Sequence, residues 1–255
     1  MFKMNHEFGY INEIEWNSKG KTFAWHAGDT EKKFKGNMIN HEALMKKLKW
    51  DVTPIKYKIS KYGLRYDGEE QKPGGVMWVG GSNVFGTGNH YEDNFTHIAH
   101  NIAYPELPYY NLGCCGYGIE TYYRIIRYNI ERLRPTKIVL DEPHVETRAE
   151  DWNGYTYIAI NPTFVIENNK PKYLDNSRSF DKTPATTRWF KNMDAIRYLC
   201  YKYNVEFIYK GMTMKWIQMH MNDRSARDLN HNGPTWHLSA GKLLAGELYE
   251  SDHVD

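Results

Sequence analysis

The sequence predicts an α/β domain built on a parallel sheet covered by helices on both faces. Apolar runs alternate with helical stretches after residue 75, and one helix carries a clean apolar stripe. A Lys-Pro-Gly-Gly break at 72–75 marks where this rhythm begins. The alternation reads Val76 to Gly80, then Glu92 to Ala103; Tyr109 to Leu112, then Ile119 to Leu133; Lys137 to Leu140; Thr186 to Tyr203, then Val205 to Tyr209; and last Trp236 to Tyr249. Short apolar strands separated by helices of ten or more residues are the pattern of βαβ units. In the 119–133 stretch, Ile119, Tyr122, Ile126, Ile130 and Leu133 recur at three- and four-residue steps, and Pro135 follows as a stop.

Residues 1–72 read as an N-terminal accessory segment, and 73–255 as the main domain, with an insertion around 144–181 that is rich in Asn, Asp, Pro and Tyr. Within the first segment, His41 to Trp50 suggests a short amphipathic helix. Ile55 to Ile59 alternates with lysine as an exposed strand would. Nine lysines stand against three acids between Glu31 and Lys61, which reads as a solvated basic face.

Composition narrows the function classes. The 255 residues are 41% hydrophobic and 25% charged, ordinary for a folded domain. A net charge of +2 does not single out nucleic acid as the partner. Aromatics reach 15%, suited to surfaces that grip sugars, lipids or protein. Three cysteines, two of them adjacent, do not make a disulfide framework and fit a reducing compartment. The first 16 residues have no apolar core of a signal peptide, and no run of about 18 apolar residues predicts a membrane span.

In an open parallel sheet, ligands bind beyond the carboxyl ends of the strands, which directs attention to three segments. Val79 to Gly88 follows the first strand. Thr87 stands where a P-loop needs lysine, Gly86-Thr87-Gly88 lacks the third glycine of a dinucleotide fingerprint, and Asn83-Val84 is not a nucleophile elbow. What remains is Ser82, held in a glycine turn at a strand end. Asn111 to Gly118 is a glycine-rich loop before the best-marked helix, whose free amides suit an anion or a developing oxyanion. Arg227 to His237 contains Asp228 and His231, spaced so that a carboxylate can orient an imidazole.

Other reactive residues have plainer readings. His90, Glu92, His97 and His100 lie near the serine loop, but surface or core histidines explain them better than a metal. Cys114 and Cys115 read as small packing residues under the loop, and His237 as a packed helix residue.

In this order, Gly81-Ser82 with Gly86 and Gly88, Asn111 to Gly116, and Asp228 to His231 resemble the SGNH (GDSL-like) hydrolase family over about residues 74–250. The runs Asn111-Leu112-Gly113 and Ala226-Arg227-Asp228 with His231-x-Gly233-Pro234 look like its divergent phage and bacterial members. The resemblance implies a three-layer, flavodoxin-like fold with five parallel strands, and a serine esterase with Ser82 as nucleophile, His231 as base and Asp228 as its orienting acid. The amides of Ser82 and Gly116 would form the oxyanion hole. Two departures stand out. Gly81 replaces the aspartate before the serine, and Leu140 to Glu146 contains no asparagine, so His144, or the nearby Arg148, is the expected substitute donor. No metal or organic cofactor is expected. The expected partner is an ester-bearing small molecule or glycan, and the expected location the cytoplasm, of a host cell if the protein is viral, or a virion. An acyltransferase with the same serine, or a non-catalytic virion or carbohydrate-binding protein on a decayed site, are the alternatives.

Overall fold

A computed structural model describes residues 20–26, 28–60, 63–66, 72–141, 148–150, 156–158, 164–167, 170–173, 183–221 and 223–252. The centre is a parallel sheet of four strands: β3 (Val76–Gly80), β4 (Tyr109–Gly113), β5 (Lys137–Asp141) and β10 (Glu206–Tyr209), in the spatial order β10-β5-β3-β4. Between and after them run α4 (Phe95–Ala103), α5 (Ile119–Leu133), α6 (Thr183–Lys202), α7 (Gly211–Met221) and α8 (Pro234–Asp252).

Strand β3 shows why there are three layers. Its residues are all buried and alternate between two cores. Met77 and Val79 pack with the α5 stripe (Tyr122, Ile126, Ile130) and with Met193 and Ile196 of α6. Val76 and Trp78 pack with Phe95 and Ala99 of α4, Met214 and Ile217 of α7, and Trp236, Ala240 and Leu244 of α8.

The described residues supply four of the five expected strands. From β10 the chain turns directly into α7, a helix that the sequence pattern does not suggest, and then into the turn before α8 without adding another described strand. Helix α4 starts at Phe95 rather than Glu92, because Asn94 takes the cap position and its side chain accepts the Thr96 amide at 2.8 Å. Pro234 opens α8, two residues ahead of the expected start. In the 144–181 stretch, where the sequence shows no period, the described residues form two antiparallel pairs: β6 (Arg148–Glu150) with β7 (Thr156–Ile158), and β8 (Phe164–Glu167) with β9 (Lys170–Tyr173).

The N-terminal segment holds β1 (Thr22–Phe23), α1 (Glu31–Asn40), α2 (Glu42–Lys47) and β2 (Tyr57–Lys58). The alternation at 55–59 does not make an exposed strand. Ile55, Tyr57 and Ile59 are buried with Met45, Trp50 and Phe85, and only Tyr57–Lys58 pairs, antiparallel to Thr22–Phe23. Burial of one face follows because that face meets Phe85, at the end of the serine turn. Helix α1 was not marked by apolar period. Its start is set by Thr30, whose hydroxyl accepts the Lys33 amide at 3.2 Å.

Register brings the strand ends level. Gly80 stands opposite Gly113 on one side and Asp141 on the other, so β3, β4 and β5 finish together at one edge. A Cβ on Gly80 would come 2.4 Å from the Asp141 carbonyl oxygen, and one on Gly113 would come 2.1 Å from the Phe85 nitrogen. These glycines let the loops beyond the strands crowd against one another.

Candidate functional site

The serine turn begins where β3 stops. Ser82 opens a one-turn helix, α3 (Ser82–Phe85), closed by Gly86 in the left-handed region at φ 79°. Its carbonyls are taken up by side chains from three places. Asn94 donates to Val84 at 2.8 Å, Asn111 to the same oxygen at 2.7 Å, and Arg65 to Phe85 and Gly86 at 2.6 and 2.5 Å. Ser82 itself is half-buried. Among the described residues, neither its hydroxyl nor its amide has a hydrogen-bond partner.

The Asn111 loop is fixed to that turn. Besides holding Val84, Asn111 accepts the Gly113 amide at 2.9 Å, and the Cys114 amide donates to the Gly80 carbonyl at 2.8 Å. The Cys115 thiol lies 3.1 Å from the Thr87 hydroxyl. Gly116 follows with φ 84°, a conformation that favours glycine, and its amide has no partner among the described residues. His144 lies outside the described residues. Arg148 opens β6.

Asp228 and His231 meet as their spacing predicts. Asp228 Oδ2 is 2.8 Å from His231 Nδ1, while Oδ1 accepts the amides of Asn230 and His231 at 3.1 Å each. Asp228 is buried; His231 keeps 22% of its side chain exposed. Burial pushes the Asp228 carboxyl upward, but the His231 hydrogen bond and charge and the two amides outweigh it and hold the group below the usual carboxylate range. Lys33 of α1 adds a cation 3.9 Å from the same Oδ2.

Ser82 and His231 are not hydrogen-bonded to each other. Their segments are joined through Gly88 and Asn89. The Arg227 amide donates to the Gly88 carbonyl at 2.9 Å, and the Asn89 side chain donates to the Asn232 carbonyl at 2.8 Å. A Cβ on Gly88 would lie 2.9 Å from Ala226 Cβ and 3.3 Å from Asp228 Oδ1.

The N-terminal segment supplies residues that the sequence does not mark. Arg65, fully buried, also donates to the Asn89 carbonyl at 2.7 Å, and its guanidinium lies over the rings of Tyr57 and Phe85. Asp29, fully buried, takes a forked bond from Arg227. Gly28 sits where a Cβ would touch His231 Cε1 at 3.4 Å. The partners of these pairs are far apart in sequence and lie in no recognisable motif. Buried, matched charge is legible only once the chain is folded.

Of the remaining candidates, His100 and His237 are buried, His90 and His97 are half-buried, and Glu92 is exposed. His100 is buried between the Trp78 indole N–H and the Leu107 carbonyl, and burial lowers it to about 4. His237 is fully buried and accepts the Phe95 amide at 3.0 Å. His97 bonds Asn101, and its ring lies tilted against Tyr91 and edge-on to Tyr109. Cys114 and Cys200 are buried; Cys115 is half-buried. Among the described residues, no three His, Cys, Asp or Glu side chains are grouped as a metal would need, and no helix is long and apolar enough to cross a membrane.

No protein-family model matches the chain, and no curated protein sequence matches it. Two solved structures show distant likeness. One is a crystal structure that aligns over 70% of this chain and 98% of its own, at 11% identity and a TM-score of 0.33. The other is described as a gut microbial diltiazem-metabolizing enzyme, aligned over 72% of this chain and 48% of its own, at 12% identity and a TM-score of 0.35. Likeness of this degree does not assign an activity.

Proposed function

We propose that the protein is a serine hydrolase acting on esters, with an O-acetylated carbohydrate as one substrate class that suits its aromatic content. The observation that carries the reading is the Asp228–His231 pair: a buried carboxylate held by two backbone amides faces one imidazole nitrogen, leaving the other free to take a proton. Ser82 supplies the nucleophile. His231 removes its proton as it attacks the ester carbonyl, and then delivers that proton to the leaving alcohol. Water attacks the acyl-enzyme in the second half; His231 takes its proton and returns it to Ser82 Oγ as the acid leaves. The unpartnered amides of Ser82 and Gly116 are the donors assigned to the oxyanion. No metal or organic cofactor has a part in this chemistry.

His144 is assigned the third donor, because the block where the family places an asparagine has none. His144→Ala is then expected to lower kcat by about 10²-fold, with folding little changed. A loss below about threefold would make His144 a bystander.

The direct test is turnover of short-chain aryl esters together with labelling by a fluorophosphonate, which traps an activated serine. Mass spectrometry is expected to find the adduct on Ser82, and Ser82→Ala is expected to abolish both labelling and turnover. A folded wild type that hydrolyses no ester in a broad panel and stays unlabelled overturns the reading.

A further inference from the structure

We propose that Asp29 and Tyr57, from the segment ahead of residue 73, are positioning residues that set the spacing between the serine loop and the histidine turn. The inference rests on the triad reading above. The two loops meet at Gly88. Its carbonyl accepts the Arg227 amide, and its own amide donates to the Tyr57 hydroxyl at 2.8 Å. Tyr57 in turn donates to Asp29 Oδ2 at 2.5 Å. The same carboxylate takes Arg227 Nε at 3.0 Å and Nη2 at 2.6 Å, and Nη2 also reaches the Ala24 carbonyl at 2.6 Å. Arg227 precedes Asp228, and Gly88 lies on the loop that begins at Ser82. An unbroken chain of bonds therefore runs from the nucleophile loop, through two N-terminal side chains, to the residue before the orienting acid.

Every group in that chain is buried: Asp29 and Tyr57 are fully so, and Arg227 is 3% exposed. An ion pair in such a place is a poor device for stability, since apolar residues of similar volume serve as well or better. What it gives is direction. The fork fixes the Arg227 guanidinium in plane, and Trp25 covers its face at 4.0 Å. Because a misplacement of about 1 Å can cost 10²-fold in rate, a rigid tie between base and nucleophile bears on kcat more than on binding.

Tyr57→Phe removes one oxygen. It leaves the Asp29–Arg227 fork in place and takes away the acceptor of the Gly88 amide. We expect kcat for ester hydrolysis to fall by about tenfold or more, with KM within about twofold, at a temperature where circular dichroism finds the variant folded. Asp29→Asn alone would strand a buried guanidinium and risk unfolding, so it is combined with Arg227→Met, which removes the pair as a whole. The double variant is expected to show the same loss in kcat. Full kcat in both folded variants, with an active wild type, overturns the brace while leaving the triad standing. An inactive, unlabelled wild type overturns both.

Discussion

Asp228→Asn is expected to lower kcat by about 10⁴-fold while leaving the fold in place. The asparagine oxygen can still accept the amides of Asn230 and His231, as Oδ1 does now, so the turn keeps its shape. The group facing His231 Nδ1 becomes an amide N–H₂. Two donors cannot face each other, so Nδ1 gives up its proton and Nε2 keeps one. In the proposed triad, the nitrogen that receives the Ser82 proton is then already protonated, and the imidazolium formed during attack loses its counter-charge. Single-turnover and steady-state rates on an aryl ester measure the effect. A loss below tenfold would show that Asp228 does not orient the base.

The second large effect is on stability in acid. Three buried histidines are held neutral. Burial, helped by the Arg65 charge, lowers His26 to about 4; burial lowers His100 to about 4; and burial, with the charges of Arg65 and His231, lowers His237 to about 3. Unfolded, each titrates near 6.5. Between pH 6.5 and about 4 the unfolded chain therefore binds protons that the native chain refuses, and stability must fall as pH falls through that window. Each group contributes up to about 1.4 kcal/mol per pH unit. Urea unfolding followed at steps from pH 7.5 to 4.5 is expected to show a midpoint that is nearly constant above 7 and drops steeply below 6.5. A flat midpoint across this range would contradict the buried, neutral state. His26 gives the clearest control, because both its ring nitrogens are buried without a hydrogen-bond partner. Replacing it with an apolar residue is expected to flatten the profile.

The parts of the fold that rest on local period were readable in the sequence. The α5 stripe, the β3 run and the Asp228–His231 spacing each depend on residues a few positions apart, and all three stand in the structure. Helices α1 and α7 were not readable, because their apolar residues do not recur on one strong face. The sheet's register was also out of reach, since it depends on close approaches such as Gly113 against Phe85. For the same reason Arg65 is not legible in the sequence. A single arginine between Leu64 and Tyr66 has no local signature, yet it holds three carbonyls of the serine loop.

The brace also dictates when the site can exist. Asp29 and Arg227 are 198 positions apart, and Trp50 reaches the Ser225 carbonyl across 175. A chain emerging from the ribosome makes Asp29 198 residues ahead of Arg227, so the earlier segment waits for its partner while the sheet is synthesised. Contacts of such span close late and slow the final folding step. A product truncated ahead of Arg227 would leave the Asp29 carboxylate without its cation. Arrival of the 227–231 turn therefore joins the N-terminal segment and the proposed site in one event.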